Sequence, residues 1–142
     1  MKNVIFLGWF LLLLASCNSN AKKDNHVAQK QDSSELKASI QRGKTVYNDM
    51  CITCHLPNGK GVPKAFPPLA DSDYLRENQK QSIKAVKYGM SGEITVNGIT
   101  YNSTMSPLGL SNEEVADVVN YINNSWGNTI DHFVTPEKVS EL

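Results

Sequence analysis

Two thiols two residues apart, Cys51 and Cys54, are followed at once by an imidazole, His55. The run Cys51-Ile52-Thr53-Cys54-His55 has the spacing for covalent attachment of haem c. Each thiol adds across one vinyl group of the macrocycle to make a thioether, and His55, next in line, reaches the iron from one face. One short segment thus tethers the haem at its edge and ligates it, so one covalent haem c is the expected cofactor. Zinc fits poorly, because a structural site takes four ligands and no second Cys/His pair exists. A thiol–disulfide oxidoreductase would set its Cys-x-x-Cys in a strand–helix context. Here a helical pattern precedes the motif and a Gly/Pro-rich loop follows.

The sequence has 142 residues, one domain's worth, with 40% hydrophobic residues and a formal net charge of zero. A globular core is possible, and no dense basic block suggests nucleic acid as a partner. The third cysteine, Cys17, lies outside the haem motif. Lys2 precedes an apolar run from Val4 to Leu14, then Ala15-Ser16-Cys17, which reads as a secretory signal. The run is shorter than the roughly 20 apolar residues of a spanning helix. Its ending, Leu14-Ala15-Ser16-Cys17, resembles a bacterial lipobox, which implies cleavage before Cys17 and lipid on its sulfur and N-terminus. Residues 1–16 are then a signal peptide, and their removal takes away Lys2 and no acid, leaving a net charge of −1. Residues 17–32 are polar and read as a flexible tether, with His26 simply solvated.

The elements that must position the motif follow from periodicity. A helix is expected from Asp32 or Ser33, where Asp32 with Glu35 resembles a capping box. Leu36, Ile40, Gly43, Tyr47 and Met50 then share one face. Gly43 costs about 1 kcal/mol against alanine in mid-helix, which points to close approach by another helix. After His55, the residues through Pro68 read as an irregular loop around the haem edge. Asp71 or Ser72 can cap a short helix, and a second helix is predicted from Gln79 to Tyr88 with Gly89 as its stop. Asn97-Gly98 between two β-favouring runs signals a hairpin within residues 93–101. Ser111 and Glu114 form a capping box, and Leu110 and Val115 a hydrophobic staple, for a last helix carrying Val115, Val118, Val119, Ile122 and Trp126 on one face, closed by Gly127. Beyond Asn128, Thr135-Pro136 is a weak helix start.

The haem motif, Phe66-Pro67-Pro68-Leu69-Ala70, Met105 before the last helix, and the ending Asn120 to Asn128 together resemble the class I (monohaem) c-type cytochromes over residues 35–127. The resemblance implies an all-α fold, a small helical domain wrapped around a covalently bound haem, here with a short β-hairpin added. It places that domain at residues 33–128, with a C-terminal tail at 129–142. It implies a tight crossing of first and last helices, with Gly43 and Tyr47 on one and Tyr121 or Ile122 on the other. It further implies Met105 as the second axial ligand, with Met90 as the rival, and a proline carbonyl, Pro67 or else Pro68, accepting from the free ring nitrogen of His55. Leu69 would pack on the haem.

A His55/Met105 pair fills both axial positions, and thioether ligation raises the reduction potential. The expected function is single-electron transfer between redox proteins at a membrane, not catalysis. The expected partners are a protein donor, a protein acceptor and the lipid surface, with the chain exported, facing the periplasm, and itself a monomer. Two alternatives keep the haem: an electron-transfer subunit of a larger dehydrogenase, reductase or oxidase, and a haem enzyme or sensor with an open sixth site. The second would need a distal His or Arg, and only His26, His55 and His132 are present. Lys80, Lys84 and Lys87 share a helical face, and Lys60 and Lys64 border the haem loop. Such a stripe could steer an acidic partner, although it reads more simply as a solvated face.

Overall fold

The protein is described by a computed structural model, which covers the backbone of residues 21–142 and the side chains of residues 33–142. Cys17 lies outside the described residues, as does the side chain of His26. Helix α1 spans Ala21–Met50. Its start differs from expectation: the stretch read as a flexible tether is helical from Ala21, so Asp32 lies inside the helix and begins nothing. Ala, Lys and Gln are good helix formers, and no Gly or Pro interrupts the chain between Ala21 and Arg42. Leu36, Ile40, Gly43 and Tyr47 turn inward or half-inward as expected, whereas Met50, the last of the periodic set, is exposed.

Helix α5, Asn112–Asn123, crosses α1 and supplies more of the core than any other element. Its start is the expected one: Ser111 accepts from the Glu114 N–H, and the Glu114 carboxylate accepts from the Ser111 N–H. Leu110 and Val115 are both buried in the core beside it. The crossing is close because Gly43 has no side chain. A Cβ there would overlap the Asp117 carbonyl and stand 2.9 Å from the Val118 nitrogen. The close partner of Gly43 is therefore the α5 backbone at Asp117, one turn before the expected Tyr121 and Ile122. Tyr121 instead meets Tyr47, with ring centroids 5.5 Å apart.

The expected end of α5 also moves. Asn124 caps it, and Trp126, read as the last residue of the helical face, lies beyond it with φ 50. The left-handed turn brings the indole back over α1, with its centroid 4.8 Å from that of Tyr47 and 5.2 Å from that of Tyr121. Gly127 therefore does not close the helix.

Four shorter helices and a hairpin complete the described fold. Helix α2, Ile52–His55, is the haem motif itself. Helix α3, Asp73–Glu77, is capped by Ser72, and α4, Gln79–Tyr88, ends at Gly89. Strands β1, Ile94–Val96, and β2, Ile99–Tyr101, pair antiparallel with Ile94 opposite Tyr101. Asn97 and Gly98 both have positive φ, 50 and 74, as a two-residue turn of this kind requires. The tail belongs to the same core. Helix α6, Pro136–Ser140, buries Val139, and Val134 just before it is buried as well. Asn120 on α5 clasps Val134: its Nδ2 donates to the Val134 carbonyl at 2.8 Å and its Oδ1 accepts from the Val134 N–H at 2.9 Å.

Candidate functional site

The turn at His55 sets the site. The backbone N–H groups of Leu69 and Ala70 donate to the Gly59 carbonyl at 2.7 and 2.9 Å, and Gly61 N–H donates to the His55 carbonyl at 3.0 Å. These bonds fold the loop after the motif back on itself. Gly61 has φ 60, and a Cβ there would stand 2.7 Å from the Pro67 carbonyl oxygen, so only glycine lets that carbonyl come in so near. The Pro67 carbonyl accepts from His55 Nδ1 at 3.1 Å. Of the two prolines the sequence left open, Pro67 makes the bond. Burial lowers the His55 pKa, and the Pro67 bond partly opposes it. The ring is held neutral with Nε2 left unprotonated, the form that binds a metal.

Cys51, Cys54, His55, Pro67, Leu69 and Met105, all singled out from the sequence, line one cavity. The cavity has about 1070 Å³ of empty space, including its open mouth. Its walls are mostly apolar, with Val86, Ile94, Val96, Val119 and Ile122 contributed by α4, β1 and α5. Burial pushes the Cys51 thiol up to about 11, with Cys54 adding to the shift. The donor set fits a haem c: two thiols at one edge, a neutral imidazole behind them, thioethers within reach and apolar walls for a flat macrocycle.

The rival methionine is in the cavity too. Met90 and Met105 exchange backbone hydrogen bonds of 2.8 and 2.9 Å as an isolated antiparallel pair. Residues directly opposite each other present their side chains to one face, and both thioethers line the cavity. The loop of Met105 is tied to the haem loop as well, since Ser103 Oγ donates to the Ala65 carbonyl at 2.6 Å. The lysine stripe is less available than its spacing suggested. Lys87 Nζ donates to the Leu110 carbonyl at 2.9 Å, and Ser82, Ala85 and Val86, on the other side of α4, are the residues that face the cavity. His132 is exposed in the tail, far in role from any ligand set.

Sequence reasoning missed a buried polar cluster behind the site. Asp117 accepts from Ser39 Oγ at 2.7 Å and from Arg42 Nε and Nη2 at 2.6 and 2.7 Å. Asn120 Nδ2 adds a bond to Ser39 Oγ at 2.9 Å. Ser39, Arg42 and Asp117 lie one turn apart or directly across the helix crossing. An acid in the middle of an otherwise apolar helical run was the signal that could have found them.

Residues 40–126 match the model of the cytochrome c family, and the chain belongs to that family. It is 41% identical to cytochrome c-552 of Thermus thermophilus over 90 residues, which covers 60% of this chain and 68% of that protein. It is 33% identical over 104 residues to the cytochrome c subunit of the quinone alcohol dehydrogenase of Gluconacetobacter polyoxogenes, covering 70% of this chain but 22% of that subunit. The protein is thus an electron carrier bearing one covalent haem c, and its partners are redox partners.

Proposed function

We propose that this chain is a lipid-anchored, exported, monohaem carrier, attached to its haem through Cys51 and Cys54, with His55 and Met105 as the two axial ligands. The observation that supports the ligand set is the His55–Pro67 hydrogen bond, which occupies Nδ1 and leaves Nε2 available to bind an iron. Met105 is favoured as the second ligand by its polar surroundings in the loop 102–107, by its tie to the haem loop and by its place in the same cavity. When bound, the haem supplies an iron that changes its charge by one electron. Pro67 keeps the imidazole from rotating between the two charge states and raises its basicity. The backbone pair with Met90 holds the Met105 loop in place, and the apolar walls exclude water. Little needs to move, which suits rapid electron transfer.

Absorption spectra of wild type, Met105→Ala and Met90→Ala test the ligand. The methionine-to-ferric charge-transfer band is expected to vanish in Met105→Ala and persist in Met90→Ala. The reverse pattern makes Met90 the ligand, and a wild type without the band excludes methionine ligation, with high-spin iron that binds carbon monoxide then marking an open sixth site. The anchor rests on the Leu14-Ala15-Ser16-Cys17 signal. Cys17→Ala is expected to move the protein from membrane to soluble fractions, and unchanged membrane retention would exclude the lipid. A second reading, a haem subunit of a larger redox complex, is favoured by the dehydrogenase relative, of whose subunit this chain covers only 22%. Stable co-purification with a catalytic subunit would establish it.

A further inference from the structure

The sequence holds two Asn-Gly pairs, Asn58-Gly59 in the haem loop and Asn97-Gly98 at the hairpin tip. Asparagine is a thermolabile residue, and glycine after it opens a route to deamidation, because no Cβ hinders the glycine nitrogen from attacking the side-chain amide. The fold treats the two nitrogens oppositely. Gly59 is buried, and its N–H donates to the Leu56 carbonyl at 3.0 Å. The Trp126 indole lies against it where a side chain would stand. Gly98 is exposed, its N–H has no hydrogen-bond partner among the described residues, and a Cβ there would meet nothing within 4 Å. The amide under attack is prepared as well. The Asp73 N–H donates to Asn97 Oδ1 at 3.0 Å, and that oxygen gathers negative charge as the carbon is attacked. Asn58 Oδ1 has a similar donor, the Lys60 N–H at 3.1 Å, so the attacking nitrogen is what separates the two pairs.

We propose that Asn97 is a site of spontaneous deamidation in the folded protein, and that Asn58 is protected from it. Hydroxide takes the proton of the Gly98 amide, the nitrogen bonds to Asn97 Cγ, and the Cγ–Nδ2 bond breaks. Ammonia leaves with a proton from water, which regenerates hydroxide. Water then opens the cyclic imide at one of its two carbonyls, giving aspartate or isoaspartate, with no change of oxidation state. Either product puts a negative charge beside Asp73, whose carboxylate accepts from the Asn97 N–H at 2.7 Å, and like charges at such a contact repel. Isoaspartate also adds a carbon to the backbone of a two-residue turn, whose fit to its strands depends on its backbone angles. The turn then releases α3. The strands it joins carry Ile94, Val96 and Tyr101 on the cavity wall, so the age of a molecule is written into the firmness of that wall.

The test incubates the holoprotein at mildly alkaline pH, folded and unfolded in urea, and reads its peptides by mass spectrometry, with fragmentation distinguishing isoaspartate from aspartate. The expected result is the mass gain of an amide turned acid at Asn97 in the folded protein, no gain at Asn58, and gain at both in urea. Conversion at Asn58 as fast as at Asn97 in the folded protein, or no conversion at Asn97 there, overturns the proposal. Amide hydrogen exchange at Val96 is expected to quicken in the isoaspartyl fraction relative to unconverted protein. Equal exchange in the two fractions would overturn the release of the hairpin and leave the modification site standing on its own mass readout.

Discussion

Replacing Gly43 with alanine should weaken the fold although alanine is the better helix former. The intrinsic gain is about 1 kcal/mol. Against it stands a Cβ that meets rigid backbone, the Asp117 carbonyl and the Val118 nitrogen, the latter at 2.9 Å where ordinary contact begins at 3.4 Å. No rotamer change relieves this, so α1 and α5 must separate. Overpacking of this kind costs about 3 kcal/mol, the upper part of its usual range. Separation also stretches the 2.7 Å bond from Ser39 to Asp117, which adds about 1 kcal/mol. The Arg42 side chain is 62% exposed, so its share is screened and is left out. The net loss is about 3 kcal/mol, or roughly 12–24 °C in Tm for a domain of this size. Guanidinium unfolding of the ferric holoprotein, followed by circular dichroism, measures it. A Gly43→Ala protein as stable as wild type, with an unchanged m-value, would show that the two backbones do not touch there.

Asn120→Ala should cost about 2–4 kcal/mol, because it strands the buried N–H and C=O of Val134 as well as leaving a void. Hydrogen exchange at the Val134 amide should accelerate more than at Val118 in the same variant. Glu114, held below the ordinary glutamate value by the Ser111 N–H and then the Ser111 hydroxyl, contributes stability that is present above pH 4.5 and is lost as pH falls through its depressed value. Glu114→Gln should therefore flatten the acid limb of a stability–pH curve measured at low salt, and an unaltered limb would refute the assignment. A Cys51→Ala/Cys54→Ala chain, made without haem, should show little cooperative melting by circular dichroism, since the cavity runs through the core of a domain that is marginal without its cofactor.

The features legible in the sequence were those fixed by neighbours a few residues apart. Ser111 with Glu114, the Asn97-Gly98 turn, Gly89 and the haem motif each specify geometry within a single turn of chain. Pro67 was legible only through resemblance, since nothing local to it tells which of two adjacent carbonyls will face an imidazole twelve residues away. Trp126 was misplaced because its spacing continues the α5 pattern, while the chain leaves the helix at Asn123 to lay the indole on Tyr47. Asp117, Ser39 and Asn120 were passed over because apolar periodicity gives no weight to polar residues. Their burial is tolerable only through partners on another helix or in the tail, and the order of residues along one strand of chain does not reveal those.

The paired backbones of Met90 and Met105 have a bearing on how this protein can vary. Everything between them, residues 91–104, is a closed excursion whose two ends are already clamped together. Residues could be added or removed at its tip around Gly98 without altering where the sulfur of Met105 sits. The chain thus separates a clamped base, whose residues line the cavity, from a tip at Gly98 where an added side chain would meet nothing within 4 Å, so the outer shape can change there while the cavity wall is left alone.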